Sequence, residues 1–176
     1  MTKKEILKDK EYYKIIKDLY ERKEVQTLDS IPHHDTGTRL EHSLNVSYKA
    51  YKIAKKHNLD YKSTAKAGLL HDLYFNRIAE CKTKIDKIKL LTNGHPVDAI
   101  ENASKFYELN KLEKDIIKTH MWPISIYMPK YKESFIVGYA DKYCSFFDAK
   151  KKVKYKKDKL VYRFGVYVIM FMLTIF

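Results

Sequence analysis

Few chain-breaking residues interrupt this sequence, and that scarcity limits its choice of folds more than any other property. Five glycines and four prolines are spread over 176 residues, and the segments between them are rich in lysine, glutamate, leucine and isoleucine. Such residues favour helices, whereas turns are enriched in glycine and proline. No stretch alternates apolar and polar residues with a period of two over a useful length, so no sheet is expected. The sequence therefore predicts an all-α fold.

Apolar residues at helical spacing predict where the helices lie. We expect an amphipathic first helix over residues 3–24 and a loop over SIPHHDTGT, with Thr36 or Thr38 as the N-cap of the next helix. Further helices are expected over 39–57, 61–73, 82–91, 96–106, 111–120 and 132–149. No linker or internal repeat divides the chain. We therefore expect one domain, with a core at about 33–149, an N-terminal helix within 1–30 and a C-terminal segment at 150–176.

The formal net charge of +13 makes phosphate-bearing partners plausible. Nearly all of the positive charge is lysine, interspersed with glutamate and aspartate along every predicted helix. The sequence contains no arginine cluster and no known nucleic-acid-binding motif. A solvated lysine surface is therefore favoured over a face that binds nucleic acid.

Cysteine usage and the N-terminal residues indicate the compartment. Cys81 and Cys144 lie far apart and form no CxxC pattern, which fits a reducing environment better than a disulfide framework. Residues 1–24 are charged throughout, so no signal peptide is expected. We expect a cytoplasmic protein without a transmembrane segment.

The C-terminus differs in composition from the rest of the chain. A lysine-rich run, KKKVKYKKDK, precedes LVYRFGVYVIMFMLTIF, in which 13 residues follow Arg163. A membrane-spanning helix needs ~20 apolar residues. Two interpretations stay open: a helix buried against the core or in a homodimer contact, and peripheral attachment to an anionic membrane.

Histidines near predicted helix ends are the candidate functional residues. They are His42, His71, His95 and His120. Helix ends can meet at one point of a bundle, as a metal site built from scattered segments requires. Asp72 follows His71 in AGLLHDL, and Asp141 lies among apolar residues in VGYADKYC, where a buried carboxylate needs a compensating cation. Imidazole and carboxylate together suit Fe, Mn, Zn or Ni, although any one such histidine is more often a cap or a hydrogen-bonded core residue.

The order of these motifs, namely EHSLNVS, AGLLHDL, NGHP, IIKTHMWP and VGYADKYC, resembles the HD-domain superfamily of metal-dependent phosphohydrolases. The superfamily pattern is a histidine, a His-Asp pair and a distant aspartate on a long helix. It maps onto His42, His71, Asp72 and Asp141. The resemblance covers about residues 33–149 and implies an HD-domain helical bundle.

Two further histidines, His95 and His120, match the positions that mark the branch of the superfamily with two metals. The layout is similar to that of small bacterial HD hydrolases, including those that split diadenosine tetraphosphate. The Gly-Tyr-Pro element of HD-type cyclic-dinucleotide phosphodiesterases does not occur. The resemblance implies two divalent ions, with Fe or Mn favoured and Mg, Ni, Co or Zn as alternatives. Their implied ligands are His42, His71, Asp72, His95, His120 and Asp141, with Asp72 as the bridge.

The activity that the resemblance implies is hydrolysis of a phosphoester or phosphoanhydride bond by a metal-activated hydroxide. The substrate would be a nucleotide or another small phosphorylated molecule. His71 and Asp72 would be the catalytic residues. Such chemistry needs no serine or cysteine nucleophile, which fits a sequence without GxSxG or a P-loop.

The predicted substrate-binding residues are His34, Arg39 and Lys142. The planar guanidinium of Arg39 suits a phosphate group, although a surface ion pair with Glu41 or Asp35 is a nearly equal interpretation. His33 is a candidate proton donor. Three other functions stay open: a nucleotide- or RNA-binding module without activity, a binuclear iron oxygenase, and a protein in which the histidines are only structural.

Overall fold

The structure is a computed structural model that describes residues 1–33, 37–75 and 82–153, without the side chains of 87, 91 and 147–153. Within this part the chain is predominantly α-helical, which confirms the all-α prediction. One hydrophobic core joins the described helices, except the helix at residues 84–89, whose described side chains do not belong to it.

The predicted first helix, over residues 3–24, is wrong in one respect, because three helices occupy this segment. They are α1 (Lys3–Ile6), α2 (Lys10–Tyr20) and α3 (Lys23–Gln26), and a 3₁₀ turn at Thr27–Ser30 follows. Asp9 explains the first interruption. Its side chain accepts a hydrogen bond from the backbone N–H of Tyr12 (3.1 Å), which starts a new helix with its own cap.

The segment SIPHHDTGT, predicted to be a loop, contains a short antiparallel strand pair. Strand β1 (Pro32–His33) pairs with β2 (Gly37–Thr38), and Pro32 lies opposite Thr38. The expectation of no sheet is therefore wrong at this one place. Two-residue strands are too short to produce an alternating pattern that could be read from sequence.

The next helix, α4 (Arg39–Lys56), begins at a capping box. The side chain of Thr38 accepts a hydrogen bond from Glu41 N, and the Glu41 carboxylate accepts one from Thr38 N, both at 3.2 Å. Two orphan N–H groups are thereby satisfied. Of the two predicted caps, Thr38 is the one that the structure uses.

The remaining helices match the predicted ones with shifted ends. They are α5 (Tyr61–Leu70), α6 (Lys84–Lys89), α7 (His95–Ser104), α8 (Lys111–Thr119) and α9 (Lys132–Val153), with a π turn at Leu90–Gly94 before α7. α5 ends earlier than predicted because His71 is its C-cap residue. α9 continues past the predicted end at 149.

Close contact between α4 and α5 brings the functional segments together. A Cβ at Gly68 would lie only 2.9 Å from Ser47 Cα, so the two helices can approach this closely only because Gly68 has no side chain. The same place carries a buried hydrogen-bond chain. The Tyr12 hydroxyl donates to Ser47 Oγ (2.7 Å), and Ser47 Oγ donates to the carbonyl oxygen of Ala65 (2.6 Å). This chain ties α2, α4 and α5 into one core.

None of the helices in the described part of the chain has both the length and the apolar character needed to cross a bilayer. The apolar C-terminal segment predicted to pack on the core, form a dimer contact or attach to a membrane begins after Arg163. It therefore lies outside the described residues.

Candidate metal centre

The six predicted ligands converge at one point inside the bundle, and none of them is more than 8% exposed. His42 lies near the start of α4, His71 and Asp72 follow α5, His95 begins α7, His120 follows α8, and Asp141 lies on α9. Five separate helices therefore contribute to the cluster. The prediction that helix ends would meet is confirmed for α4, α5, α7 and α8.

Two of the histidines cap their helices in the same way. His71 is the C-cap residue of α5, and its Nδ1 donates a hydrogen bond to the carbonyl oxygen of Gly68 (2.8 Å). His120 is the C-cap residue of α8, and its Nδ1 donates to the carbonyl oxygen of Ile117 (2.7 Å). A carbonyl can only accept, so Nδ1 must carry the hydrogen in each ring. In the neutral form, Nε2 is then left with a lone pair that points into the cluster.

The first group of ligands surrounds Asp141. His42 Nε2 lies 3.1 Å and His71 Nε2 lies 3.7 Å from Asp141 Oδ1. Ile136, Val137 and Ala140, within about one and a half turns before Asp141, are buried on one stripe of α9. Packing of this stripe into the core therefore carries the Asp141 carboxylate to the two histidines.

The second group of ligands surrounds the other side of Asp72. His95 Nε2 and His120 Nε2 are 3.0 Å apart. They lie 3.5 and 3.7 Å, respectively, from Asp72 Oδ1. Since Nδ1 of His120 carries that ring's hydrogen, its Nε2 lone pair faces the His95 ring.

Asp72 joins the two groups because its two oxygens face different partners. Oδ1 faces His95 and His120, whereas Oδ2 lies 3.7 Å from His71 Nε2. Potential ligand atoms of His42, His71 and Asp72 all lie within 4.8 Å of one another, and so do those of Asp72, His95 and His120. The Asp72 carboxylate is therefore shared by both groups of potential ligand atoms.

The two carboxylates of the cluster are ionised despite their burial. Burial alone would raise the pKa of Asp72, but His71, His95 and His120 outweigh it and hold the pKa well below its ordinary value. Burial likewise opposes ionisation of Asp141, and Lys142, His42 and His71 together lower its pKa strongly. Two negative charges are thus maintained in a buried site.

Three histidines of the cluster have pKa values that are shifted in different directions. Burial, reinforced by the neighbouring His71 and His95 rings, lowers the pKa of His120 to about 3. Burial also lowers the pKa of His95. For His71, burial acts in the same direction, but Asp72 and Asp141 outweigh it and raise the pKa. His95 and His120 are therefore neutral, and able to donate a lone pair, near pH 7, whereas His71 holds its proton more tightly.

These residues fit a divalent cation site. The Nε2 atom of His71 is buried and has no hydrogen-bond partner among the residues that the structure describes. Two buried carboxylates and four imidazoles offer six nitrogen and oxygen donor groups without a thiolate, which is the donor set that Fe, Mn and similar ions accept. A buried, unpartnered imidazole nitrogen costs free energy that a cation would offset.

A cavity of about 320 Å³ opens onto the cluster. It is lined by His33, Asp72, Tyr74, His95, His120, Met121, Ile124, Asp141, Lys142 and Ser145. Ligands of both groups line it, so a small molecule in the cavity would contact both. The volume lies near the lower end of the usual range for small-molecule sites.

Two of the predicted accessory residues lie at this cavity. Lys142 Nζ donates a hydrogen bond to the carbonyl oxygen of His120 and lies 3.4 Å from Asp141 Oδ2. The ring of His33 stacks on that of His42, with centroids 3.9 Å apart. Both residues are placed to contact a substrate, and their roles stay predictions.

Of the other two predicted substrate-binding residues, Arg39 and His34, only Arg39 lies in the part of the chain that the structure describes. Arg39 is only 4% exposed, and its guanidinium lies over the ring of Tyr74, 3.9 Å from the centroid. It also donates to the carbonyl oxygen of Tyr74. Glu41 instead caps α4 with Thr38. His34 lies outside the described residues.

Sequence reasoning missed Tyr74, which lines the cavity and packs against His95 with ring centroids 4.9 Å apart. From sequence, an aromatic residue two positions after Asp72 is expected to be an ordinary core residue. No spacing rule distinguishes such a residue from one that lines a cavity. Met121 and Ile124, the apolar part of the cavity wall, were missed for the same reason.

The chain is thus an all-α bundle with two buried groups of His and Asp side chains that could hold metal ions and that share one aspartate. The family model described as HD domain matches residues 39–145, which is more than half of the chain. The chain therefore belongs to the HD domain family, as its motifs predicted. Comparison with curated proteins and with solved structures gave no match. Members of this family are in general metal-dependent phosphohydrolases.

Proposed function

We propose that this chain is a metal-dependent phosphohydrolase of the two-metal kind, acting on a nucleotide or another small phosphorylated substrate. His42, His71, Asp72 and Asp141 would hold one divalent ion, and Asp72, His95 and His120 would hold the other. Fe or Mn is favoured, with Mg, Ni, Co or Zn as alternatives. The substrate, the native metal and the number of ions all belong to this proposal.

The observation that supports two ions rather than one is the position of the Asp72 carboxylate. Its oxygens face opposite groups of histidines, at 3.5 to 3.7 Å from their nitrogens. A carboxylate in a site for one ion would need histidines on one side only. Bound divalent ions at such a site supply Lewis-acid polarisation of a phosphoryl group and lower the pKa of water.

The residues of this chain have three tasks in that reaction. Asp72 and Asp141 supply buried negative charge that offsets the cations, and their lowered pKa values keep them ionised at neutral pH. The helix-end carbonyls that accept from His71 and His120 fix the two rings with Nε2 towards the cluster. The ligand side chains are at most 8% exposed, and this burial strengthens each of these electrostatic interactions relative to water.

Contact with substrate phosphate is proposed for residues on the cavity side. Lys142 places a cation beside Asp141, and the imidazole of His33 is a candidate proton donor to the leaving group. His34 and Arg39 stay candidates from the sequence. The observed contacts of Arg39 are with Tyr74, so any contact with phosphate would be in addition to these.

The experiment that tests the function combines metal analysis with a substrate panel. Purified protein is loaded with Mn²⁺ or Fe²⁺, its metal content is determined, and release of phosphate is followed from nucleotides, dinucleoside polyphosphates and simple phosphomonoesters. We expect two ions per chain and turnover of at least one substrate. Asp72→Ala should lose both ions and the turnover, whereas His71→Ala should lose the ion held with His42 and Asp141, and the turnover with it.

His57→Ala is the matched control, because His57 is an exposed histidine at the C-terminal end of α4. It should keep the metal content and activity of the wild type. A metal-loaded protein that leaves every phosphoester intact contradicts the proposal. In that case, oxygen consumption would indicate an iron oxygenase, and salt-sensitive, metal-independent RNA binding would indicate a binding module.

A further inference from the structure

The proposed bridging residue, Asp72, does not lie within a helix. α5 ends at Leu70, and the segment 71–74, called the turn below, consists of a turn at residues 71–72 and two residues without regular secondary structure. The last carbonyls of a helix have no helical donor and need other partners. The position of Asp72 therefore depends on whatever holds this turn in place.

Local hydrogen bonds hold only part of the turn. Leu73 N donates to the carbonyl oxygen of Leu70 (3.0 Å), and Tyr74 N donates to that of Asp72 (2.8 Å). The carbonyl oxygens of Leu73 and Tyr74 accept from side chains of other helices. Besides the buried Leu73 side chain, these two carbonyls attach the turn to the rest of the protein.

Side chains of α7 and α4 occupy those two places. Asn102 Nδ2 donates to the carbonyl oxygen of Leu73 (3.1 Å), and the guanidinium of Arg39 donates to that of Tyr74. Arg39 is 4% exposed, so this is an interior contact. Two successive peptide groups after Asp72 are thus attached to two different helices.

The same arginine is connected to a proposed metal ligand through an aromatic ring. Its guanidinium lies 3.9 Å from the centroid of the Tyr74 ring, and that ring packs against the ring of His95 at 4.9 Å and 45°. Cation–π and aromatic contacts of this kind restrict ring orientation. Arg39, Tyr74 and His95 therefore form one stack that ends at the second group of ligands.

We propose that Arg39, Tyr74 and Asn102, here called the turn clamp, are positioning residues for the second ion. The clamp fixes Asp72 through the backbone of residues 73 and 74, and it fixes His95 through the Tyr74 ring. The remaining ligands are held by other contacts: His42 and His71 face Asp141, and His71 Nδ1 donates to the carbonyl oxygen of Gly68. This inference rests on the proposed function, because it requires that ions bind at the cluster.

The test measures the binding of each ion rather than activity alone. Mn²⁺ binding to the full chain is followed by equilibrium dialysis for the wild type, Arg39→Gln, Asn102→Leu and Tyr74→Ala. His95→Ala and His42→Ala identify which binding step belongs to which group. We expect each clamp variant to weaken the step that His95→Ala abolishes by roughly 10- to 100-fold. The step that His42→Ala abolishes should weaken less, because Asp72 is the one ligand of that ion that the clamp positions.

Two controls separate positioning from general damage. Arg22→Gln removes an exposed arginine whose guanidinium also lies over an aromatic ring, that of Phe106 (5.7 Å), and it should leave both binding steps unchanged. Tyr74→Phe keeps the ring and should bind both ions as the wild type does. The double variant Arg39→Gln/Tyr74→Ala should bind the second ion only slightly more weakly than either single variant does, since the two side chains act as a unit.

The possible failures are distinguishable. If Arg39→Gln does not fold, as judged by the circular dichroism of the apo protein, Asn102→Leu tests the same clamp from α7. If the wild type binds two ions and the clamp variants bind the second ion as tightly as it does, the clamp alone is overturned. Wild-type protein that binds no ion would overturn the proposed function, and the clamp with it.

Discussion

At the scale of single residues, the titration of His71 separates it from the other histidines of the cluster. Its neighbours Asp72 and Asp141 raise its pKa above the ordinary value of about 6.5, so the apo protein holds a proton there near neutral pH. The stability that this proton contributes is present below pH ~6.5 and is lost as the pH rises through the raised pKa. A cation ligand must be unprotonated.

Metal binding should therefore release a proton from His71. We expect affinity to rise with pH until the raised pKa of His71 is passed, because the competing proton is then gone. Calorimetric titration with Mn²⁺ at pH 6.5, in two buffers with different ionisation enthalpies, measures the released proton. Equal heats in both buffers would contradict the prediction.

Lys142 gives a second prediction at this scale. Its ammonium lies 3.4 Å from Asp141 Oδ2, so it competes with a cation for the same carboxylate. Lys142→Met should keep both ions at least as tightly as the wild type, while the KM for a phosphorylated substrate rises. Weaker metal binding in this variant would show that the lysine supports the ligands rather than the substrate. Lys62→Met, on the exposed start of α5, is the matched control.

At the scale of elements, the contact between α4 and α5 determines where the His-Asp pair lies. Gly68→Ala would put a methyl group 2.9 Å from the backbone of Ser47, and backbone cannot rotate away as a side chain can. We expect a loss of ~1–3 kcal/mol in the free energy of unfolding, reduced by the better helix propensity of alanine. Urea denaturation of the apo protein measures it.

Gly94→Ala is the control for this substitution. There the added methyl group would meet only the Cδ1 end of the flexible Leu90 side chain, also at 2.9 Å. Rotation of that side chain can relieve the contact, so stability should change little. Equal losses in both variants would mean that the α4–α5 contact is not what makes Gly68 necessary.

Some helices could be predicted from the sequence, whereas helix interruptions and contacts between distant helices could not. α4, α5, α8 and α9 were predictable because caps and apolar periodicity are local signals, as at Thr38. The division of the first helix at Asp9 was missed because one side-chain hydrogen bond decided it against a continuous helical pattern. The Arg39–Tyr74 contact joins residues 35 positions apart, and no local pattern encodes it.

At the scale of the whole molecule, the proposed ions would crosslink five helices. Removal of the ions should therefore lower the melting temperature. An ion present at 100 times its Kd stabilises by about 2.7 kcal/mol, and 1 kcal/mol corresponds to about 2–4 °C for a chain of this size. Calorimetry with and without a chelator measures the change. Asp72→Ala, which removes the carboxylate shared by both proposed ions, is the control, since a chelator should not affect a variant that binds no ion.

The overall class of the fold and the set of converging residues could be inferred from sequence because the motifs occur in a fixed order along a helix-rich chain. The contacts among these residues could not be inferred from sequence. The Asp72 oxygens facing opposite ways, and the stacking of His33 on His42, arise only when distant segments pack.

The distance along the chain between the first and last members of the cluster has a consequence during biosynthesis. His42 and Asp141 are 99 positions apart and meet at 3.1 Å. A ribosome must therefore translate α9 as far as Asp141 before the nascent polypeptide can present the complete set of ligands. Partial sets emerge earlier and lack that carboxylate, so full metal capture has to wait until Asp141 has been synthesised.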